Sequence, residues 1–423
     1  MKAQHALRLL ATTALVTVVG CSTPAPTPAP TAAPPSTSAA AASPAVAKPT
    51  VAASLAGSSA QPSPTGAARQ ASPSPTRGTL GGPPPFDRTK LQYGVQAHQY
   101  WIDKEPVVRA ANELGFGWLK QQIRWDALEP RKNAFDWAEL DRIVEATTTR
   151  GGMNLLLSVV AAPKWATGNN PVDGPPTDFS EMGRFIGILA DRYKGKVRAY
   201  EIWNEQNLHY EWGGQGKLNA AEYVRLLRVN YEAIKRVDRD AVVIAGALTP
   251  TGVDDGVIAI DDVRFLQQMY AAGVKNYSDA IGAHPGGYNN PPDDWLDRKT
   301  VSSTSFKGHP SLYFRRIEQY RQVMQRNGDA DKKVWITEFG YSTRNKAPGY
   351  EYGDDVTPQL QAEWLTRAFQ KARTEYPWVG AMFIWNLNFA TIVPDTDEKW
   401  SFGILNPDFT PRPAYTALRN MPK

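Results

Sequence analysis

EIWNEQN at residues 201–207 and VWITEFG at 334–340 are the two stretches on which the fold turns. Each closes an apolar, strand-like run with a glutamate, Glu205 in the first and Glu338 in the second. Runs of the same kind occur at Leu91–Gln96, Trp118–Trp125, Asn154–Val160, Arg198–Glu205, Val242–Leu248, Ala280–Pro285, Lys333–Gly340 and Val379–Leu387. Between them lie segments with apolar residues at helical spacing: Pro106–Leu114, Trp137–Thr149, Phe179–Tyr193, Ala220–Val237, Val263–Ala272, Leu312–Asn327 and Pro358–Arg373. A last one follows at Arg412–Asn420. Apolar strands alternating with amphipathic helices imply parallel strands buried on both faces. Eight such units predict an α/β fold, a (β/α)8 TIM barrel over residues 86–423, with its reactive residues at the C-terminal ends of the strands. No self-similar repeat of solenoid length is present.

Ahead of the barrel the composition changes twice. Lys2 and Arg8 precede an apolar run from Leu9 to Val19, too short to span a bilayer and shaped like a secretory signal. It ends at Val18-Val19-Gly20-Cys21, and Cys21 is the only cysteine. This arrangement resembles the lipobox of bacterial lipoproteins. The resemblance implies a signal peptide over 1–20, acylation of Cys21, and an extracytoplasmic domain lipid-anchored to the bacterial cell membrane. An ordinary signal with an incidental cysteine, or a buried free thiol, is the plainer alternative. Residues 21–85 are almost wholly Ala, Pro, Ser, Thr and Gly and form a disordered tether, long enough when extended to reach on the order of 100 Å. With one cysteine the barrel has no internal disulfide and depends on its core.

The chain has 47 basic and 42 acidic residues, but the first 86 hold five basic residues and no acid. The barrel is therefore charge-balanced and carries no nucleic-acid footprint. The chain's five histidines are scattered, and there is no His-Glu-x-x-His pair, phosphate loop or Gly-x-Ser-x-Gly elbow. No metal and no cofactor is expected.

Two carboxylates carried to the mouth of one barrel on the fourth and seventh strands suit glycosidic-bond hydrolysis, one as proton donor and one as nucleophile. With their flanking residues, Trp203-Asn204-Glu205 and Ile336-Thr337-Glu338-Phe339-Gly340, they resemble the acid/base and nucleophile motifs of the clan A glycoside hydrolases, closest to family 39-like enzymes with families 5 and 51 as neighbours. The likeness covers the whole barrel. It departs from the pattern at Gln206, where many relatives carry proline. It implies a retaining β-glycosidase, with Glu205 as acid/base, Glu338 as nucleophile, and carboxyl groups about 5 to 5.5 Å apart. It also implies an arginine near the nucleophile. Arg124, ending the second strand, is the candidate that would keep Glu338 ionised.

Asn204 is expected to hydrogen-bond the sugar 2-hydroxyl. His284 and Tyr288, after the sixth strand, are candidates for orienting Glu338, and Trp385 for the sugar platform. His98 and Trp165, after the first and third strands, are weaker substrate-binding candidates whose plainer reading is packing. Glu201 falls on the same face as Trp203 and Glu205 by strand alternation, as a buried polar partner of open role. The substrate expected is an extracellular polysaccharide or oligosaccharide cleaved internally by a monomer, since the loops at 206–219 and 286–310 are long and rich in Gly, Asn, Trp and Tyr. Two alternatives stand beside this reading. One is a non-catalytic barrel that binds surface polysaccharide; the other is an exo-acting enzyme of β-xylosidase or arabinofuranosidase type.

Overall fold

A computed structural model of the chain describes residues 83, 85–296 and 308–423. The signal segment, Cys21 and nearly all of the tether lie outside the described residues, as does part of the loop at 286–310. The eight strands are β1 Gln92–Gln96, β2 Trp118–Arg124, β3 Asn154–Val160, β4 Val197–Ile202, β5 Val242–Leu248, β6 Ala280–Ala283, β7 Lys333–Phe339 and β8 Val379–Ile384. They close in sequence order into one barrel, β8 pairing with β1, and every pairing is parallel. The main helices are α1 Lys104–Glu113, α2 Ala138–Val144, α3 Phe179–Arg192, α4 Ala220–Val237, α5 Asp262–Ala271, α6 Ile317–Arg326, α7 Pro358–Glu375 and α8 Pro413–Asn420. None of the described helices is long and apolar enough to cross a membrane.

The helices start where the sequence offers a cap. Asp103, Asp178, Asn219, Asp261 and Thr357 each accept a backbone N–H of the first turn, and Pro358 takes the first position of α7, where no donor is needed. In α3 the buried residues Met182, Phe185, Ile186 and Leu189 recur at helical spacing and face the barrel. The predicted helix at 137–149 is α-helical to Val144 and continues as a π-turn to Arg150; the one at 312–327 begins as two 3-10 turns before Ile317.

Two apolar regions result. The larger one fills the space between strands and helices, while the barrel floor is plugged by Trp118, Leu156, Ile244, Trp335 and Phe383. Gly94 makes room for that plug, since a Cβ there would lie 2.3 Å from the Phe383 ring. Above the floor the interior turns polar, with Lys120 and Glu201 fully buried. A polar layer under the mouth of a sealed barrel is where catalytic or binding chemistry has to be supported.

The strand ends depart from expectation where that layer begins. β4 stops at Ile202, three residues before Glu205, and both Trp203 (φ 73) and Glu205 (φ 47) are left-handed. Alternation therefore fails after Glu201. Trp203 turns outward into the helix layer, where its Nε1 donates to the carbonyl of Glu211 at 2.8 Å, instead of sharing a face with Glu201. Non-glycine residues in this region cost about 1–3 kcal/mol each and need a surrounding that holds them. Here the Glu205 amide donates to the Ala247 carbonyl at 2.8 Å, the buried Gln206 side chain donates to the Gly246 carbonyl at 2.7 Å, and Asn207 is bonded to Thr249 and Ile260. Gly246 permits the approach, because a Cβ there would sit 2.4 Å from the Ile202 carbonyl oxygen. Gln206 thus does in this chain a job that a proline, with no donor, does not.

Candidate active site

A cavity of about 430 Å3 opens at the C-terminal ends of the strands, and Glu205, Glu338, Asn204, His284, Tyr288 and Trp385 all line it. One carboxylate oxygen each from Glu205 and Glu338 and a ring nitrogen of His284 lie within 4.8 Å of one another. The two glutamates are brought together by different devices. Glu205 sits on the clamped turn after β4. Glu338 sits on β7 at an irregularity, where pairing with β8 shifts register between Ile336 and Phe339. Such a shift re-aims side chains. The neighbours Thr337 and Glu338 both reach the interior, Thr337 touching Glu201 and His284, and Glu338 touching Lys120.

The cation beside Glu338 is Lys120, not Arg124. The Lys120 ammonium donates to Glu338 Oε1 at 2.9 Å and pairs with Glu201 Oε2 at 3.0 Å. Arg124 is on the same face of β2 but four residues further along, which at about 3.3 Å per residue places its Cα roughly 13 Å above that of Lys120. Its guanidinium is half exposed at the rim, forked between Asp126 and Asp173. The signal for Lys120 was in the strand itself, since Trp118, Lys120, Gln122 and Arg124 alternate onto one face.

Glu201 ties the two halves together. Its Oε1 accepts the Thr337 hydroxyl at 2.6 Å, and Thr337 Oγ1 lies 3.1 Å from His284 Nε2. A hydroxyl has one proton to give, and here the carboxylate takes it, so Nε2 must carry the hydrogen that Thr337 accepts. His284 Nδ1 is left to face the glutamates, 2.9 Å from Glu205 Oε1 and 3.9 Å from Glu338 Oε2. His284 therefore engages Glu205 more closely than Glu338, the reverse of the orienting role expected for it. Burial would lower its pKa, but the charges of Glu338 and Glu205 raise it above the usual imidazole value. Burial likewise opposes the charged forms of Lys120 and Glu201, yet their mutual attraction prevails. Lys120 is held above the ordinary lysine value and Glu201 below the ordinary carboxylate value.

The remaining candidates divide. The Asn204 side chain is buried at the cavity wall, and its Oδ1 has no hydrogen-bond partner among the described residues. Tyr288 Oη donates to the Pro250 carbonyl at 3.3 Å and its ring packs on Tyr352, so it shapes the cavity wall. Trp385 packs edge-on against Phe402 and Phe389 and precedes a cis peptide to Asn386. His98 and Trp165 do not line the cavity. His98 is bonded through its backbone to Asn388 and through Nε2 to the Tyr100 carbonyl, and Trp165 Nε1 donates to the Glu129 carbonyl at 3.0 Å.

Glu211 was not anticipated. It lines the cavity with Glu205 and Asp173, and burial followed by the charges of Glu205, Asp173 and Glu338 raises its pKa to about 8. At pH 7 it is largely protonated and presents an O–H donor. A carboxyl raised in the folded state stabilises less as pH climbs from its unfolded value of 4.5 through 8, because the native protein binds the extra proton in that window. Thermal melts of Glu211→Gln are thus expected to lose about 5 °C less than wild type between pH 5 and pH 8.5. Parallel pH dependence of the two would show that Glu211 titrates normally.

No family model matches the chain. It is 24% identical over 243 residues to endo-1,4-beta-xylanase C of Paenibacillus barcinonensis, a match covering 52% of this chain and 20% of that protein. Among solved structures, a family 39 glycoside hydrolase from Bacteroides cellulosilyticus aligns with a TM-score of 0.60 at 21% identity, over 80% of this chain and 64% of that one. A monomeric beta-xylosidase from Caulobacter crescentus aligns with a TM-score of 0.57 at 19% identity, over 81% and 69%. The chain thus spans a fifth of the matched xylanase and about two thirds of these structures. What the likenesses establish is the fold: the chain is a (β/α)8 barrel of the form found in those glycoside hydrolases.

Proposed function

We propose that the chain is a retaining glycosidase acting on the β-linkages of an uncharged, xylan-like polysaccharide. The observation that carries this is the pair Glu205 and Glu338, with carboxylate oxygens within 4.8 Å in one cavity. A pair that close falls with the retaining enzymes, whose carboxyl groups are about 5–5.5 Å apart, and short of the roughly 6.5–9.5 Å by which inverting enzymes make room for the attacking water. The relatives' names supply the xylan direction. The cavity supports an uncharged sugar, since its described lining includes Glu211, Asp173 and Glu398, while its one lysine, Lys399, is paired with Asp397 and Glu398.

Lys120 holds Oε1 of Glu338, leaving Oε2 to attack the anomeric carbon. As the glycosidic bond breaks, the leaving oxygen takes a proton through Glu205, which draws on the hydrogen shared between Glu205 and His284 Nδ1. Water then attacks the glycosyl ester of Glu338, returns its proton to that pair, and frees Glu338 as the carboxylate. Asn204 Oδ1, without a hydrogen-bond partner among the described residues, supports a contact with the 2-hydroxyl, and the place of Trp385 in the cavity lining supports one with the sugar face.

The lipobox-like Val18-Val19-Gly20-Cys21 supports a domain held at the extracytoplasmic face of a bacterial membrane, acting as a monomer on polymer outside the cell. A purely binding barrel would not need two facing carboxylates tied from below by a buried lysine. The test is hydrolysis of aryl β-glycosides, xylan and other β-linked polysaccharides, with product anomers followed by NMR in the first minutes. Retained configuration is expected, internal cleavage of the polymer is expected over release of single end units, and an inverted product or no cleavage across the panel would sink the reading.

A further inference from the structure

Trp101 is the most exposed large hydrophobic side chain among the described residues, at 75%, and it is left-handed with φ 61. It sits in the loop between β1 and α1, at the end of the barrel that carries the cavity. Nothing in the fold calls for an indole there. Its backbone N–H donates to Glu139 Oε1 at 2.7 Å, a bond any non-proline residue would make, and glycine or asparagine would take the left-handed backbone more readily. That anchor is itself secured, since the buried Glu139 is bonded by Lys104 and, at 2.8 Å, by Arg142. The loop is built to hold residue 101 in this position while its ring packs on little else.

The ring is not isolated from the cavity. Trp385 and Phe389 line the cavity, with centroids 5.9 Å apart. From Phe389 the next ring is His98 at 6.2 Å, then Tyr100 at 6.4 Å, then Trp101 at 6.5 Å. All but Trp101 are half-buried, and together they form a track of rings that leaves the cavity and reaches solvent. Each step is about the size of one pyranose unit. Successive ring planes are turned by 74°, 88°, 54° and 50°, so the inner rings form packed wall and the exposed face of Trp101 is the one open to the C–H face of a sugar, with the exposed Arg142 side chain near the loop to meet hydroxyls.

We propose that Trp101 is a remote stacking platform for the same uncharged polysaccharide, binding a sugar unit several residues from the scissile bond at the outer end of the Trp385–Phe389–His98–Tyr100 track. This rests on the glycosidase reading above and deepens it.

The experiment compares the full chain with Trp101→Ala and Trp101→Phe on an aryl β-glycoside and on the polysaccharide that the wild type cleaves. Trp101→Ala is expected to leave kcat/KM on the aryl glycoside within about twofold and to lower it on polymer about tenfold, mainly through KM, with Trp101→Phe between. In a Glu338→Gln background, a six-unit oligosaccharide of that polymer should shift tryptophan emission and a two-unit one should shift it less; the difference should vanish with Trp101→Ala. Melting temperature should stay at the wild-type value, given the exposure of the ring. Equal kinetics of Trp101→Ala and wild type on polymer, an equal loss on both substrates, or a wild type that cleaves aryl glycosides but no polymer would each overturn the proposal while leaving the glycosidase reading in place. No cleavage of any substrate would instead bring down that reading first.

Discussion

On the proposed mechanism, Glu338→Gly is expected to lower turnover of an aryl β-glycoside by about 10^5-fold, with sodium azide restoring a measurable part of it and releasing the glycosyl azide of opposite anomeric configuration. The size follows from the loss of a nucleophile whose partners work only with it. The rescue follows from geometry: removal of the side chain opens space under the anomeric carbon for a small anion, while Glu205 and His284 still serve the leaving group. The variant should fold, because Lys120 keeps its pairing with Glu201 when Glu338 is gone. Rates by chromogenic assay and product configuration by NMR decide it. Near-wild-type activity in a folded Glu338→Gly, or rescue giving the azide of retained configuration, would remove Glu338 as nucleophile.

Lys120→Met should be the most damaging change outside the two glutamates. Lys120 and Glu201 are fully buried, and the lysine ion-pairs with both Glu201 and Glu338. Removing it strands Glu201 in the barrel interior without its direct ion-pair partner, a loss of about 3–5 kcal/mol and a drop in melting temperature on the order of 10 °C. Activity should fall at least about 100-fold, because the nucleophile loses the bond that fixes Oε1. The double variant Lys120→Met/Glu201→Met separates the two effects. Replacing the pair by apolar side chains should recover most of the stability and none of the activity. A single variant that melts with wild type would show that the buried pair is not coupled.

The barrel was legible because its evidence is local and repeated. Each strand needs an apolar run and each helix a periodic face, and those signals survive in the sequence eight times over, with a side-chain cap at five of the eight helices. The helix over Ala220–Val237 has the predicted bounds, since Asn219 caps it and Asp238 ends it. Harder to read were places where the backbone leaves its regular path. Trp203 was placed on the inner face by alternation, but alternation holds only inside a strand, and β4 ends at Ile202. Lys120 was passed over for Arg124 because the choice depends on height within the barrel, which follows from strand tilt and register and not from residue type. Glu211 had no signal at all, being a loop residue whose character comes from the carboxylates that the folded chain sets around it.

By itself, then, the sequence determined the eight alternating units, the closed parallel barrel they imply, and two glutamates at strand ends with motifs strong enough to suggest their chemistry. These rest on periodicity and on side-chain type, which are properties of neighbouring residues. Only the tertiary structure decided which cation meets Glu338, that Glu201 joins Lys120 to Thr337 and so fixes the hydrogen on His284 Nε2, and that a ring track leads out to Trp101. Each of these depends on atoms far apart in the chain meeting at hydrogen-bond or van der Waals distance, and such distances are set by barrel closure and loop packing, which no local pattern records.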